Sequence, residues 1–100
     1  MDSIIQKTKE CLVCRTTIGL ESHHIYPGPR RHISEEYGLK VWLCHDHHTG
    51  VNGVHSSKGS QLMQELKKLG QTVFTEKYGD ELFFQRFGKN YLKGDTDEDE

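Results

Sequence analysis

The chain reads as a small α+β domain, a short β-hairpin followed by C-terminal helices, and three observations predict it. Cys11-x-x-Cys14 and, further along, Cys44-x-x-His47 are two pairs of metal-ligating side chains, and two intervening residues place both ligand atoms of a pair on one side of a tight turn. The stretches beside those pairs, residues 16–25 and 39–44, are dense in β-branched, aromatic and apolar residues, which suits strands. Leu62, Leu66, Leu69 and Val73 then recur at helical spacing.

Taken in order, residues 1–10 are a polar lead-in, residues 11–92 a single domain, and residues 93–100 an acidic tail expected to be disordered. The first rigid feature is the turn holding Cys11 and Cys14. A first strand within residues 16–25 ends in His23-His24-Ile25 and runs into a loop. Tyr26-Pro27-Gly28-Pro29-Arg30-Arg31 is irregular, because two prolines around a glycine continue neither ladder nor helix. Residues 34–38 fit one capped helical turn closed by Gly38. Residues 39–44 form the second strand, with Trp42 expected in the hairpin core beside Val41 and Leu43. The polar stretch 44–55 carries too many glycines for an unbroken helix. A long amphipathic helix follows at about 58–78, widened by Met63, Phe74 and Tyr78 and closed by Gly79, and a shorter one at 80–87 carries Leu82, Phe83, Phe84 and Phe87. The apolar stripe of these helices is core.

At 100 residues and 33% hydrophobic, the core is lean for its length, so something besides apolar burial must help hold it. The two ligand pairs supply it: three thiolates and one imidazole make a closed structural zinc site that clamps the start of the first strand to the end of the second. His45, His47 and His48 all lie close to Cys44, and His47 fits the two-residue spacing best, with His45 expected to face solvent. Three cysteines are an odd number, and Ile4-Ile5 is followed at once by Gln6, Lys7 and Thr8 rather than an apolar run. These features point to a cytoplasmic chain, in which cysteines serve metals more often than disulfides. No apolar stretch is long enough to span a bilayer, so no membrane role is expected.

The formal charge is -2, yet five of the 15 acidic residues (Asp95, Asp97, Glu98, Asp99 and Glu100) are clustered at the C-terminus. Residues 1–94 carry 13 basic against 10 acidic side chains, a formal +3 that permits a nucleic-acid partner without demanding one.

Beyond the zinc ligands lie His23, His24, His48 and His55, with Asn52, Arg30 and Arg31 nearby. Leu20-Glu21-Ser22-His23-His24-Ile25 and Leu43-Cys44-His45-Asp46-His47-His48 resemble the HNH (ββα-metal, His-Me finger) endonucleases. In that family a His-His or Asp-His pair ends the first strand, a Leu-Cys-x-x-Cys-His segment follows the second, and a helix lies beyond. The resemblance covers about residues 11–55. The run through Gly53-Val54-His55 and Phe87-Gly88-Lys89-Asn90-Tyr91-Leu92 also resembles small phage-encoded HNH proteins.

The resemblance implies a zinc-stabilised ββα-metal core that cuts DNA with a second, catalytic divalent ion, Mg2+, Mn2+ or Ni2+. It makes His23 and His48 ligands of that ion and His24 the general base, with products bearing 5′-phosphate and 3′-hydroxyl ends. Adjacent strand residues point to opposite faces, so one histidine holds the ion while the next faces a water. A neutral imidazole accepts that water's proton near neutral pH. The third ligand stays open between His55, favoured because imidazole is the better ligand, and Asn52, with water as the remaining option. The family's middle asparagine falls on Leu39, which orients nothing by hydrogen bonding. Arg30 and Arg31 stand where guanidinium groups grip phosphates or steady a transition state; His32 carries no assigned role. Two other functions are compatible with the residues: a non-catalytic zinc module with a degenerate site that binds DNA or a protein, and a structural adaptor of a phage or bacterial assembly. For so short a chain, weak sequence specificity, structure-directed cutting, or targeting by a partner such as a phage or host protein is expected.

Overall fold

The computed structural model describes residues 2–92; Met1 and the acidic tail at 93–100 lie outside the described residues. Its one sheet is an antiparallel hairpin of β1 (Leu20–His24) and β2 (Lys40–Cys44), in which Glu21 faces Leu43, His23 faces Val41 and His24 faces Lys40. Alternation along the pleat puts Glu21, His23, Val41 and Leu43 on the face turned to the core, and Ser22, His24, Lys40 and Trp42 on the other. Trp42 is therefore half-buried away from Val41 and Leu43, with the Lys9 ammonium 4.6 Å from its ring centre. β1 is shorter than the strand-forming stretch 16–25, because Arg15 and Gly19 both have positive φ and turn the chain, leaving Ile18 80% exposed. The lead-in runs beside β2: Ile4 N donates to Gly38 O at 2.9 Å, Trp42 N to the Gln6 side-chain oxygen at 2.8 Å, and Leu12 N to Trp42 O at 2.9 Å. These bonds occupy the edge of β2 that β1 leaves free.

Between the strands, a 3-10 turn at Gly28–Arg30 leads into α1 (Arg31–Tyr37), longer than the single turn expected at 34–38. Ser34 is not its cap. It is fully buried, its hydroxyl accepting from Tyr26 N at 3.0 Å and donating to Tyr26 O at 3.1 Å, which pins the proline loop onto the helix. Gly38 ends α1 at φ 71, and a Cβ there would collide with the Asp2 carbonyl, so both conformation and space require glycine. Leu39 follows, fully buried, with Ile25 N donating to its carbonyl at 2.9 Å.

After β2 come α2 (His45–His48), a returning loop, a 3-10 turn at Ser57–Gly59, α3 (Ser60–Tyr78) and α4 (Asp80–Phe87). α4 has the bounds its sequence predicts. α3 begins two residues late because Ser56 caps the 3-10 turn, accepting from Gly59 N at 3.2 Å. α3 and α4 pack an aromatic core around Tyr26: Phe83 stacks on Phe87 with ring centres 4.5 Å apart, and Tyr26 lies 4.6 Å from Phe87 and 5.1 Å from Tyr91. Buried Gln71 holds the chain end against α3, accepting from Tyr91 N at 2.7 Å and donating to the Asn90 side chain at 3.0 Å. No helix among the described residues is long and apolar enough to cross a membrane.

Candidate metal centres

The knuckle at 11–16 closes through two backbone bonds, Arg15 N to Cys11 O and Cys11 N to Thr16 O, each 2.8 Å. It turns Cys11 and Cys14 toward the end of β2, where Cys44 enters α2 and His47 follows it. The Cys14 and Cys44 sulfurs are 3.8 Å apart, and His47 Nδ1 lies 3.7 Å from Cys11 Sγ and 3.3 Å from Cys44 Sγ. With metal–sulfur bonds of about 2.3 Å and metal–nitrogen bonds of about 2.0 Å, a tetrahedral ion needs roughly 3.8 Å between two sulfurs and roughly 3.5 Å between sulfur and nitrogen. The four side chains are thus positioned to bind a metal, consistent with zinc, and His47 rather than His45 or His48 completes the set. None of the three cysteines is in a disulfide. Burial raises the Cys11 thiol, but the backbone N–H groups of Cys14, Cys44 and Val13 outweigh it and hold its pKa at about 6. For Cys14, a backbone bond at Thr16 works downward, yet desolvation and the neighbouring sulfurs prevail and raise it. One thiolate forms readily and discourages the next, a charge conflict that a bound cation removes.

A second cluster sits on the core-facing side of β1. Ligand nitrogens of His23, His48 and His55 lie within 4.8 Å of one another, with ring centres 5.1 to 5.4 Å apart. His23 is 1% exposed, and its Nε2 is fully buried with no hydrogen-bond partner among the described residues. A buried polar atom without a partner costs free energy, so this nitrogen calls for an occupant that accepts its lone pair or takes its proton. Burial first, then the neighbouring His48 and His55, hold His23 down at about 3, so the ring is neutral near pH 7 and keeps a lone pair. Burial likewise lowers His55, with His48 adding to it.

His48 is oriented from behind. Its Nδ1 donates to Glu21 Oε1 at 2.7 Å, which leaves Nε2 as the ligand nitrogen, and the other Glu21 oxygen takes His45 Nδ1 at 3.0 Å. The hydrogen bonds from His45 and then His48 lower the Glu21 carboxyl. A carboxylate on the far nitrogen of a ligating imidazole is the usual support for a metal-binding histidine. His45 is exposed, as its place suggests, but it is not idle.

His55 arrives because the chain folds back. Val54 N donates to His47 O at 3.0 Å and His55 N to His48 O at 3.4 Å, while Val54 is buried. Asn52 is left outside, donating from its side chain to Asp46 Oδ2 at 3.2 Å. Of the two candidates for a third ligand, His55 is the one the fold brings to His23 and His48.

His24 borders the same region from the other face. A cleft of about 190 Å³ is lined by Ser22, His23, His24, Arg31, His48 and His55, together with Pro27. His24 Nε2 lies 2.8 Å from Glu35 Oε1, and Arg31 Nε donates to His24 Nδ1 at 3.3 Å. Since Nδ1 accepts, Nε2 carries the proton and donates to Glu35. Lys40 donates to the second Glu35 oxygen at 2.9 Å; this bond, followed by the one from His24, holds the Glu35 carboxyl down at about 2. Arg30 points elsewhere, its Nε donating to the Phe87 carbonyl at 3.2 Å, where it caps the C-terminus of α4 rather than reaching the cleft. Exposed His32 lines only the open surface beside His24 and Glu35.

Set against known protein families, curated proteins and solved structures, the chain matches none. Glu21 and Glu35, the carboxylates bonded to His48 and His24, are the members of the candidate site that the sequence reading missed. A signal existed for Glu21, two positions before His23 on the same face of one strand. None existed for Glu35, whose reach to His24 depends on how α1 folds against the hairpin.

Proposed function

We propose that the chain is a metal-dependent DNA endonuclease of the HNH (ββα-metal) type, with zinc held by Cys11, Cys14, Cys44 and His47 and a divalent ion held by His23, His48 and His55. The observation that carries the reading is the buried Nε2 of His23, without a partner among the described residues, beside His48 and His55. Three imidazoles, one braced by Glu21, fit a borderline divalent cation, and three protein ligands leave coordination positions open.

The chain's own groups account for the remaining chemistry. His24 takes a proton from water at Nδ1. The oxygen thus activated forms a bond to phosphorus as the bond to the 3′-oxygen breaks, and solvent protonates that leaving oxygen. A divalent ion in the imidazole site would stabilise the charge on phosphorus and on the leaving oxygen. In the resting protein Arg31 caps the lone pair of His24 with a long 3.3 Å bond. A phosphate oxygen is a far stronger acceptor for guanidinium than a neutral imidazole, so substrate draws Arg31 away and uncovers the base. Arg30, tied to α4, plays no part in this step.

Supercoiled plasmid with Mg2+, Mn2+ or Ni2+ tests the proposal. The expected outcome is nicking by wild type that His24→Ala abolishes, with zinc still at one per chain. An intact plasmid with every metal would overturn it. The alternative, a zinc module that binds DNA or protein without cutting, draws its support from Leu39, buried where an orienting asparagine belongs. Gel shifts over a salt series read DNA binding by that module directly.

A further inference from the structure

Leu39 leaves the base-bearing end of β1 without the amide that would steady it, yet His24 is not loose. α1 presents Glu35 across the hairpin face, and its carboxylate accepts from His24 Nε2 at 2.8 Å while Lys40, paired opposite His24 in the sheet, grips the other oxygen at 2.9 Å. Leu39 itself is fully buried and its carbonyl accepts from Ile25 N, so its place in the fold is packing and strand pairing. The carboxylate that meets this imidazole comes from the helix between the strands, not from the hairpin itself.

We infer that Glu35 is the positioning residue for His24: its carboxylate fixes the imidazole in the tautomer with the proton on Nε2, leaving the Nδ1 lone pair on the side of Arg31 and the cleft. Two other described residues at this point, Arg31 and Lys40, agree with that assignment. Arg31 has only donors, so its bond to Nδ1 requires a lone pair there. Lys40 donates to Oε2, the oxygen that His24 does not use, so it anchors Glu35 without competing for the bond to His24. When Nδ1 takes a proton, the Glu35 carboxylate lies against the imidazolium that forms and offsets its charge.

The inference deepens the nuclease reading and rests on it for its kinetic arm, but its structural arm does not. In zinc-loaded protein with 15N-labelled histidine, long-range 15N–1H correlation reads the tautomer directly. Wild type should show His24 protonated on Nε2, and Glu35→Ala should show a mixture of tautomers. In the plasmid assay Glu35→Ala should lower kcat by about tenfold or more with little change in KM, since what is lost is correct presentation of the base. Glu35→Gln, which keeps an acceptor oxygen, should recover most of that loss. Glu36→Ala distinguishes positioning from loss of any surface pair on α1: it removes the Glu36–Arg86 ion pair, away from His24, and should leave activity unchanged. Unchanged His24 tautomer in Glu35→Ala overturns the inference whatever the plasmid does. Full activity in Glu35→Ala, or an equal loss in Glu36→Ala, overturns it also. A plasmid that wild type leaves intact overturns the nuclease reading alone, and the 15N spectrum still decides the role of Glu35.

Discussion

His23 occupies a place that denies it a charge. Its ring is buried against two further imidazoles, and its pKa lies near 3 rather than the 6.5 of an unperturbed histidine. The unfolded chain therefore takes up a proton below about pH 6.5 that the folded chain refuses, so stability falls as pH falls, by at most about 1.4 kcal/mol per unit until the folded pKa is reached. Above pH 6.5 this residue makes stability independent of pH. Urea denaturation of zinc-loaded wild type and His23→Gln between about pH 6.5 and about pH 5 isolates the effect, because other groups cancel in the difference. Wild type should lose more stability than the variant across that range, and parallel slopes would refute the burial argument. At this scale the sequence was legible where chemistry is local. Cys11, Cys14, Cys44 and His47 announce themselves by spacing, whereas the partners Glu35 of His24 and Phe87 of Arg30 are set by packing of distant segments.

Among the elements, the loop between α2 and α3 decides whether three histidines meet. Gly53 sits where a Cβ would collide with the His48 carbonyl oxygen and lie 2.6 Å from its carbon, and it does so just before Val54 turns inward. Gly53→Ala must push this backbone away from α2, at a cost of about 1–3 kcal/mol, and carry His55 with it. The variant should keep its zinc yet bind a second divalent ion at least tenfold more weakly, as isothermal calorimetry with Ni2+ would read. Equal affinity would mean that His55 is not a ligand. The sequence showed the two glycines flanking Asn52 but not which neighbour they serve, since loop closure depends on the hydrogen bonds of Val54 and His55 to α2. Likewise residues 16–19 carry strand formers that positive-φ turns at Arg15 and Gly19 overrule, and α1 extends to Arg31 because the turn at Gly28–Arg30 feeds directly into it.

Across the whole molecule, a two-stranded sheet is too small to persist alone, and only one of its faces carries fully buried side chains, those of His23, Val41 and Leu43. The sulfur site joins the knuckle at 11–16 to the end of β2, and the imidazole site joins β1 to α2 and the returning loop. Fold class and the order of elements were readable from periodicity and ligand spacing, since both are local. Glu21 was legible as a carboxylate on the face of β1 that carries His23, but its bond to His48 emerges only from the assembled hairpin. The central claim is that one hairpin carries two ion sites of different character. Metal content by mass spectrometry under native conditions, after exposure to Ni2+ and then brief chelation, tests it most directly. The account predicts one zinc retained per chain through chelation and one exchangeable divalent ion that His48→Ala eliminates without touching the zinc. A single ion per chain under all conditions, or a second ion indifferent to His48→Ala, would contradict it.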